Sequence, residues 1–374
     1  MHGTTLRIET LDRAGLLSIE EEWRALAAAA GEPNPFMEPM AALPALDYPD
    51  TQSVFAVVAW GADASGRRRL EGMLLLKPWK RSRFLPAAVQ TWNYRLRAYG
   101  EPLIRRGREY SFWQAMLPHL DELRGFSVLR LAQLHDGSAS TTALREAASD
   151  FGRPLYETRR FERAMLRGPA DPAAYRERLA TKMLREQKRR RRRLEELGPV
   201  SFHRLEVEED PAPWIETLVT LEAAGWKGRK GVAAASEPHV ERLVRTVLAE
   251  AHEAERLDMR RLDLGGRAIS MLAHIETGRT AISFKIAYDE EFARYSPGVL
   301  LQMDALERAL GLDWVDSCAT PRHPMFETLW LERRPIVTLM LPFDRPGARL
   351  ACALENGARR LRPSNAAAAG GTDG

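Results

Sequence analysis

The chain of 374 residues is 45% hydrophobic, enough to build two cores rather than one. Its 55 Lys and Arg against 51 Asp and Glu leave a formal net charge of +4, so the pI near 9.1 reflects local basic clusters, not a uniformly cationic surface. Two cysteines, Cys318 and Cys352, exclude a disulfide framework and a cysteine zinc set, and no stretch reaches the roughly 20 apolar residues of a membrane helix. The opening MHGTTLRIETLDR also lacks a signal-peptide core, and the expectation is a cytoplasmic protein that holds no metal.

Taken in order, Leu6–Thr10 reads as a strand and Arg13–Ala30 as an amphipathic helix that stops at Gly31 and the proline-punctuated PNPFMEP. Strands are predicted at Val54–Trp60, Leu70–Lys77 and Val89–Tyr94, then a helix over Tyr110–Leu123 and a strand at Ser127–Leu131. Helix Ser140–Asp150 and strand Leu155–Arg163 close the first half. After GPADP a helix runs through KMLREQKRRRRRLEELG, followed by strand Val200–Leu205 and helices over Ala212–Ala224 and Pro238–Glu255.

The clearest stretch is an antiparallel meander: Leu257–Leu264, Arg267–Glu276 and Thr280–Tyr288, joined at Gly265-Gly266 and Gly278-Arg279, pairs suited to tight turns that need positive φ. With the second turn at Gly278-Arg279, Ile275 faces Ile282, Ala273 faces Phe284 and Met271 faces Ile286, while His274 faces Ser283 and Leu272 faces Lys285. A helix opening at Ser296-Pro297-Gly298, strand Trp314–Cys318, a short helix over His323–Trp330 and strand Pro335–Leu341 complete the second half; the tail SNAAAAGGTDG reads as disordered. Both halves run meander, helix, strand, helix, closing strand. The fold class is therefore α/β (α+β), two copies of one fold.

Ser296 suits the N-cap, Pro297 the first helical position and Gly298 the second, with Val299, Leu300, Met303, Leu306 and Leu310 forming a buried stripe. A helix starting off the last meander strand points its free N–H groups and positive dipole end into the cleft at that strand's end, a place for an anion such as a phosphate, with Arg294 adding charge. A capped helix without ligand is the competing reading.

Together, FKIAYDEEFARYSPGVLL, KMLREQKRRRRRLEELGPVSFHRLE, EAAGWKGRKG and NPFMEP resemble the CelD-type (cellulose-biosynthesis-type) acyltransferases of the GNAT superfamily and are similar, more distantly, to the FemAB peptidoglycan aminoacyltransferases. The resemblance implies tandem GNAT-like domains, 1–167 and 168–361 with a tail at 362–374, each a mostly antiparallel mixed sheet flanked by helices. It also implies acetyl-CoA or another acyl-CoA as donor, its pyrophosphate held by Arg294, Tyr295, Ser296, Pro297, Gly298 and Val299. ARYSPG is poorer in glycine and basic residues than the usual GNAT phosphate loop.

Acyl transfer from a thioester needs a neutral nucleophile, a donor for the developing oxyanion and a proton for the thiolate. Asp289, Glu290 or His274 suits the amine proton, Tyr288 or Tyr295 the sulfur, and Lys285 the positioning of an anionic partner; Asp316, and a Cys318–His323 pair, stand as alternatives. Solvated acids and a structural histidine are the plain readings of the same residues. The arginine run puts Arg185, Arg189 and Arg192 on one helical face, a solvated surface or a grip for a phosphorylated acceptor. Trp226 and Lys227 of WKGRKG suit ligand stacking and pairing. The acceptor expected is a sugar, polysaccharide or cell-envelope precursor. A tRNA-dependent FemAB-like transferase and a noncatalytic nucleic-acid-binding or regulatory module are the alternatives; the second lacks an aromatic RNA platform.

Overall fold

The computed structural model describes residues 6–79, 85, 87–168, 171–309 and 311–360. Strands are β1 (Arg7–Leu11), β2 (Phe55–Ala62), β3 (Arg68–Trp79), β4 (Ala88–Thr91), β5 (Leu103–Ile104), β6 (Val128–His135), β7 (Tyr156–Arg167), β8 (Val200–Arg204), β9 (Leu257–Leu264), β10 (Arg267–Thr277), β11 (Thr280–Tyr288), β12 (Trp314–Asp316) and β13 (Glu332–Pro342). The chain forms two compact units, one of residues up to Glu162 together with those from Pro335 onward, the other of Arg163–Arg334. It enters the second unit within β7 and leaves it within β13. This division differs from the sequential domains 1–167 and 168–361 expected above, and the tail at 362–374 lies outside the described residues.

In the first unit the strand order is β1-β2-β3-β4-β6-β13, with β4 and β6 parallel and every other neighbouring pair antiparallel; β5 adds to β3. The second unit has the order β8-β9-β10-β11-β12-β7, again antiparallel except for one parallel pair, β11 and β12. Each is a mostly antiparallel mixed sheet flanked by helices, the fold class expected, and the two share one strand order and polarity.

The closing strands are exchanged relative to expectation. The strand that follows the first half, β7, lies beside β12, and the strand that ends the second half, β13, lies beside β6. Apolar alternation marks both strands as half-core but carries no label for the sheet they join. Side-chain packing decides it. Leu339 and Leu341 pair with Leu131 and Leu129 and join a core with Phe112, Trp113 and Leu117, whereas Leu166 pairs with Val315 and joins Ala281, Phe326 and Trp330.

The helix expected over Arg13–Ala30 is two helices, Arg13–Ser18 and Glu20–Ala28, because Ile19 leaves helical geometry at φ −114°. PNPFMEP is a buried brace: Asn34 donates to the carbonyls of Tyr99 and Glu101 and accepts from the N–H of Phe36.

At the closing edge of the second unit's sheet, Asp316 on β12 is fully buried between two guanidinium groups. Its oxygens lie 2.6 and 2.7 Å from Arg163 and 3.2 Å from Arg334, and one of them also accepts from the N–H of Cys318 at 2.8 Å. Burial works to raise the Asp316 pKa, and the two arginines overcome it and hold it below the usual aspartate value. Replacing Asp316 by Asn strands two buried cations, so Asp316→Asn is expected to lose about 3–5 kcal/mol, measured by urea unfolding at pH 7. A loss under about 1 kcal/mol shows that the cluster does not hold this edge.

Candidate functional site

Where β11 and β12 separate, the second unit opens. The two strands pair only from Thr280–Ile282 against Trp314–Asp316. Cys318 then takes φ +50° and turns the chain away, while β11 runs on to Tyr288. The expected β10–β11 register holds through Ile275–Ile282 and His274–Ser283, but Phe284 is an extra residue on β11. Beyond this bulge Ala273 pairs with Lys285, Leu272 with Ile286 and Met271 with Ala287, one position away from the expected partners. The bulge re-aims the last strand residues, and a cavity of about 620 Å3 lies beside them, lined in part by Ile286, Ala287 and Tyr288.

Asp289 starts the turn that follows, accepting from the Glu291 N–H, and its other oxygen is paired with Arg267. The turn Glu290–Tyr295 leads to Ser296, in left-handed geometry at φ 52°, and to the helix Pro297–Asp304. Ser296 occupies the N-cap position, but its hydroxyl does not cap the helix; it accepts from Arg190. The N–H groups of Val299 and Leu300 both reach the Ser296 carbonyl, Pro297 has none, and the Gly298 N–H has no acceptor among the described residues. A Cβ on Gly298 would stand 3.5 Å from Met325 Sδ, 3.6 Å from Ile286 and 3.9 Å from Tyr288, all cavity walls. The missing side chain is therefore space in the cavity, not a demand of the backbone.

A second wall comes from WKGRKG. Trp226–Arg229 is a one-turn helix tied to the β11 turn by Glu290, which accepts from the Trp226 N–H and from Arg229 at 2.5 Å. Gly228 is required here, since a Cβ would fall 1.7 Å from the Ala223 carbonyl oxygen. Behind this turn sits buried Glu222. It accepts from Lys227 at 2.8 Å, Lys285 at 3.1 Å and the Ala234 N–H at 2.8 Å, and Lys227 also donates to the Ile286 carbonyl. Burial would raise the Glu222 pKa, but Lys285 and Lys227 outweigh it and hold the carboxyl at about 2.

The arginine-rich helix Thr181–Glu195 supplies a third wall through Met183, Gln187 and Arg190. Gln187 is 7% exposed and its Oε1 has no hydrogen-bond partner. The fourth wall is the segment His323–Thr328.

The cavity thus gathers Trp226, Lys227, Tyr288, Ser296, Pro297, Gly298 and Val299 from the expected set, and Lys285 reaches it through Glu222. Others lie elsewhere. His274 is buried under β10 near Gln302 and the Trp330 ring, where burial pushes its imidazole down to about 4. Asp289 is spent on its cap and on Arg267. Arg294 is exposed over the Tyr295 ring, and Tyr295 is packed in the core with Leu300 and Leu301. Arg185 and Arg189 are exposed, Arg189 pairing with Glu186. Cys318 and His323 are not hydrogen-bonded to each other among the described residues; Cys318 donates its N–H to Asp316, and burial followed by Asp316 pushes its thiol up. Sequence reasoning missed Glu222, Gln187 and Arg190, and named His323 only as a partner for Cys318. The spacing 183, 187, 190, 194 was the available signal, because Leu194 is the one apolar anchor at the end of the run and fixes which face turns inward.

The equivalent place in the first unit is packed by the described residues. After β4, fully buried Arg97 donates to the carbonyls of Thr91, Trp92, Tyr99 and Ala132, and Gly100 packs so closely that a Cβ would lie 1.8 Å from the Ala132 oxygen. The gap between β4 and β6 is filled by the protein's own groups.

Residues 181–321 match the family model described as an acetyltransferase (GNAT) domain. The second unit is GNAT-like. Among solved structures, the chain is similar to FemX, with a TM-score of 0.58 at 10% identity, covering 88% of this chain and 98% of that one. It is also similar to a conserved protein of unknown function from Bacteroides thetaiotaomicron (TM-score 0.54, 10% identity, 90% and 100% covered). A third likeness is to the C-terminal DUF2156 domain of a protein assigned as a lysylphosphatidylglycerol synthetase from Agrobacterium fabrum (TM-score 0.51, 12% identity, 91% and 96% covered). These likenesses show the fold. No curated protein matches by sequence. Among the described residues no group of three or more His, Cys, Asp or Glu side chains could hold a metal, and no helix is long and apolar enough to cross a membrane.

The Glu222 cluster of the GNAT-like unit has a measurable pH signature. Its lowered pKa means that the stabilisation is complete above about 4.5 and is lost as pH falls through about 2. Glu222→Gln is expected to cost about 2–3 kcal/mol at pH 7, with the gap to the parent closing as unfolding is measured at successively lower pH below 4.5.

Proposed function

We propose that this protein is an acyltransferase whose second unit holds a thioester donor, acyl-CoA, in the cavity beside β11. The observation that carries this reading is the concurrence at one point of the free Gly298 N–H, the N-terminus of helix Pro297–Asp304, the Arg190 guanidinium and the room left by the missing Gly298 side chain. Helix dipole, N–H and guanidinium all favour an anion, and a pyrophosphate fits that chemistry. The last residues of β11, Ile286, Ala287 and Tyr288, line the same cavity, with Lys227 donating to the Ile286 carbonyl, and in this reading they flank an extended arm ending in a thioester. The Tyr288 hydroxyl has no partner among the described residues and lines the same cavity, and in this reading it stabilises charge at the reacting carbonyl or sulfur.

The cavity also restricts the acceptor. Glu222 is the one carboxylate among its lining residues, and two lysines and a backbone N–H already saturate it. A cationic amine finds no counter-charge there, so the acceptor is neutral or anionic, which suits the sugar or cell-envelope precursor implied by the CelD-type resemblance. A second reading, a FemAB-like transferase using aminoacyl-tRNA, is favoured by the exposed Arg185, Lys188, Arg189, Arg192 and Arg193 on the helix that lines the cavity.

Calorimetric titration with acetyl-CoA, free CoA and tRNA separates these readings. Gly298→Ala keeps the fold, because its Cβ meets ordinary contacts, and Arg190→Met removes the cation; each is expected to weaken CoA binding by about 10- to 100-fold, the worth of a charge-assisted hydrogen bond. Equal CoA affinity in parent and both variants would move the donor elsewhere. Salt-sensitive tRNA binding with no CoA heat would select the second reading.

A further inference from the structure

One cavity group is left without a task. His323 precedes the helix Pro324–Leu329, lines the cavity with Pro324, Met325 and Thr328, and has a buried Nδ1 with no hydrogen-bond partner. Its segment adjoins the donor end of the cavity, since Met325 Sδ comes within 3.5 Å of where a Gly298 Cβ would lie. The ring is steadied by the Phe326 ring 5.2 Å away, and its backbone carbonyl accepts from the Glu327 N–H. The charged groups that act on it are Lys227 and Glu327, and Glu327 is itself engaged by Arg333 at 2.6 Å.

Burial, then Lys227, lower the imidazole pKa below its usual value near 6.5, with Glu327 opposing. At neutral pH the ring is therefore uncharged and able to accept a proton. The other acids near the cavity are not. Glu222 is saturated and held at about 2, Asp289 is paired with Arg267, and Glu290 is paired with Arg229.

We propose that His323 is the catalytic base of acyl transfer in the second unit, a role that rests on the thioester reading above. The acceptor's oxygen or nitrogen forms a bond to the thioester carbonyl carbon while its proton moves to the His323 imidazole. The carbon–sulfur bond then breaks, the electron pair leaves with sulfur, and the imidazolium returns the proton to the thiolate. The sum is acyl thioester plus acceptor giving acylated acceptor plus free thiol, with the imidazole neutral again.

The test uses the full chain, acetyl-CoA as donor, and water and hydroxylamine as small neutral nucleophiles, with thiol release followed from pH 5 to 9. His323→Asn is the fold-safe variant, because Asn is a preferred residue at the N-cap position that His323 occupies. The expected result is unchanged acetyl-CoA affinity by calorimetry, thiol release lower by about 100-fold or more, and loss of the parent's rise in rate through the imidazole titration. His323→Gly should regain rate when imidazole is added to the buffer, which a purely structural histidine would not allow. Thiol release and pH profile equal in parent and Asn variant, or no thiol release above buffer from a parent that binds acetyl-CoA, would overturn the assignment while leaving the donor site standing. A parent that binds no CoA species removes the thioester reading itself, and the calorimetric trace tells that failure from the other.

Discussion

The buried carboxylate of Asp316 sets where the second unit's sheet stops being a sheet. Two guanidinium groups and a backbone N–H converge on it at the last paired residue of β12, opposite Ile282. Breaking one partner away from such a cluster costs several kcal/mol, so the end of β12 has little freedom to move. The next turn must leave the sheet plane, and Cys318 takes the positive φ that does so. Beyond Ile282, β11 stays paired with β10 but no longer with β12, and its last residues, Ile286, Ala287 and Tyr288, line the cavity. The site is in this sense the space that a charge cluster prevents the sheet from closing.

A second balance acts inside the cavity. Glu222 holds Lys227 and Lys285 at fixed positions and neutralises part of their charge. The walls are rich in donors: the Gly298 N–H has no acceptor among the described residues, Arg190 holds its guanidinium between Glu186 and Ser296, and Tyr288 adds a hydroxyl. Among the described residues, the buried lining atoms left without a hydrogen-bond partner are Gln187 Oε1 and His323 Nδ1. A cavity with that asymmetry is pre-arranged for a ligand rich in oxygen, and its polar groups need no rearrangement to meet one.

Much of this architecture was legible in the residues. Gly265-Gly266 and Gly278 adopt positive φ and place the meander turns where predicted, and the pairing of Ile275 with Ile282 follows from the second turn. The register then slips at Phe284, because a bulge inserts one residue without changing composition or apolar periodicity enough to announce itself. The helix start at Pro297-Gly298 was equally visible, but the conformation of Ser296 was not: a serine there reads as a cap, and only the three-dimensional position of Arg190 turns its hydroxyl aside. Glu222 looked like any acid near the end of an exposed helix. Its importance arises from Lys227 and Lys285, which come from separate stretches of chain and meet it only in the fold.

The exchange of β7 and β13 has a consequence for how the chain matures on the ribosome. The edge of β6 is paired by a strand that lies beyond the whole second unit in sequence, so the first unit's sheet remains incomplete until almost all of the protein has been made. The second unit, by contrast, already has β7 in hand when its own strands begin to emerge. Local meanders form early in both, but the first must hold an open, apolar edge through a long interval and close it by a contact of high sequence separation. A premature stop anywhere before β13 would thus damage the part of the protein made first, and the nascent chain would carry an unpaired strand edge that invites association with other chains until its last segment arrives.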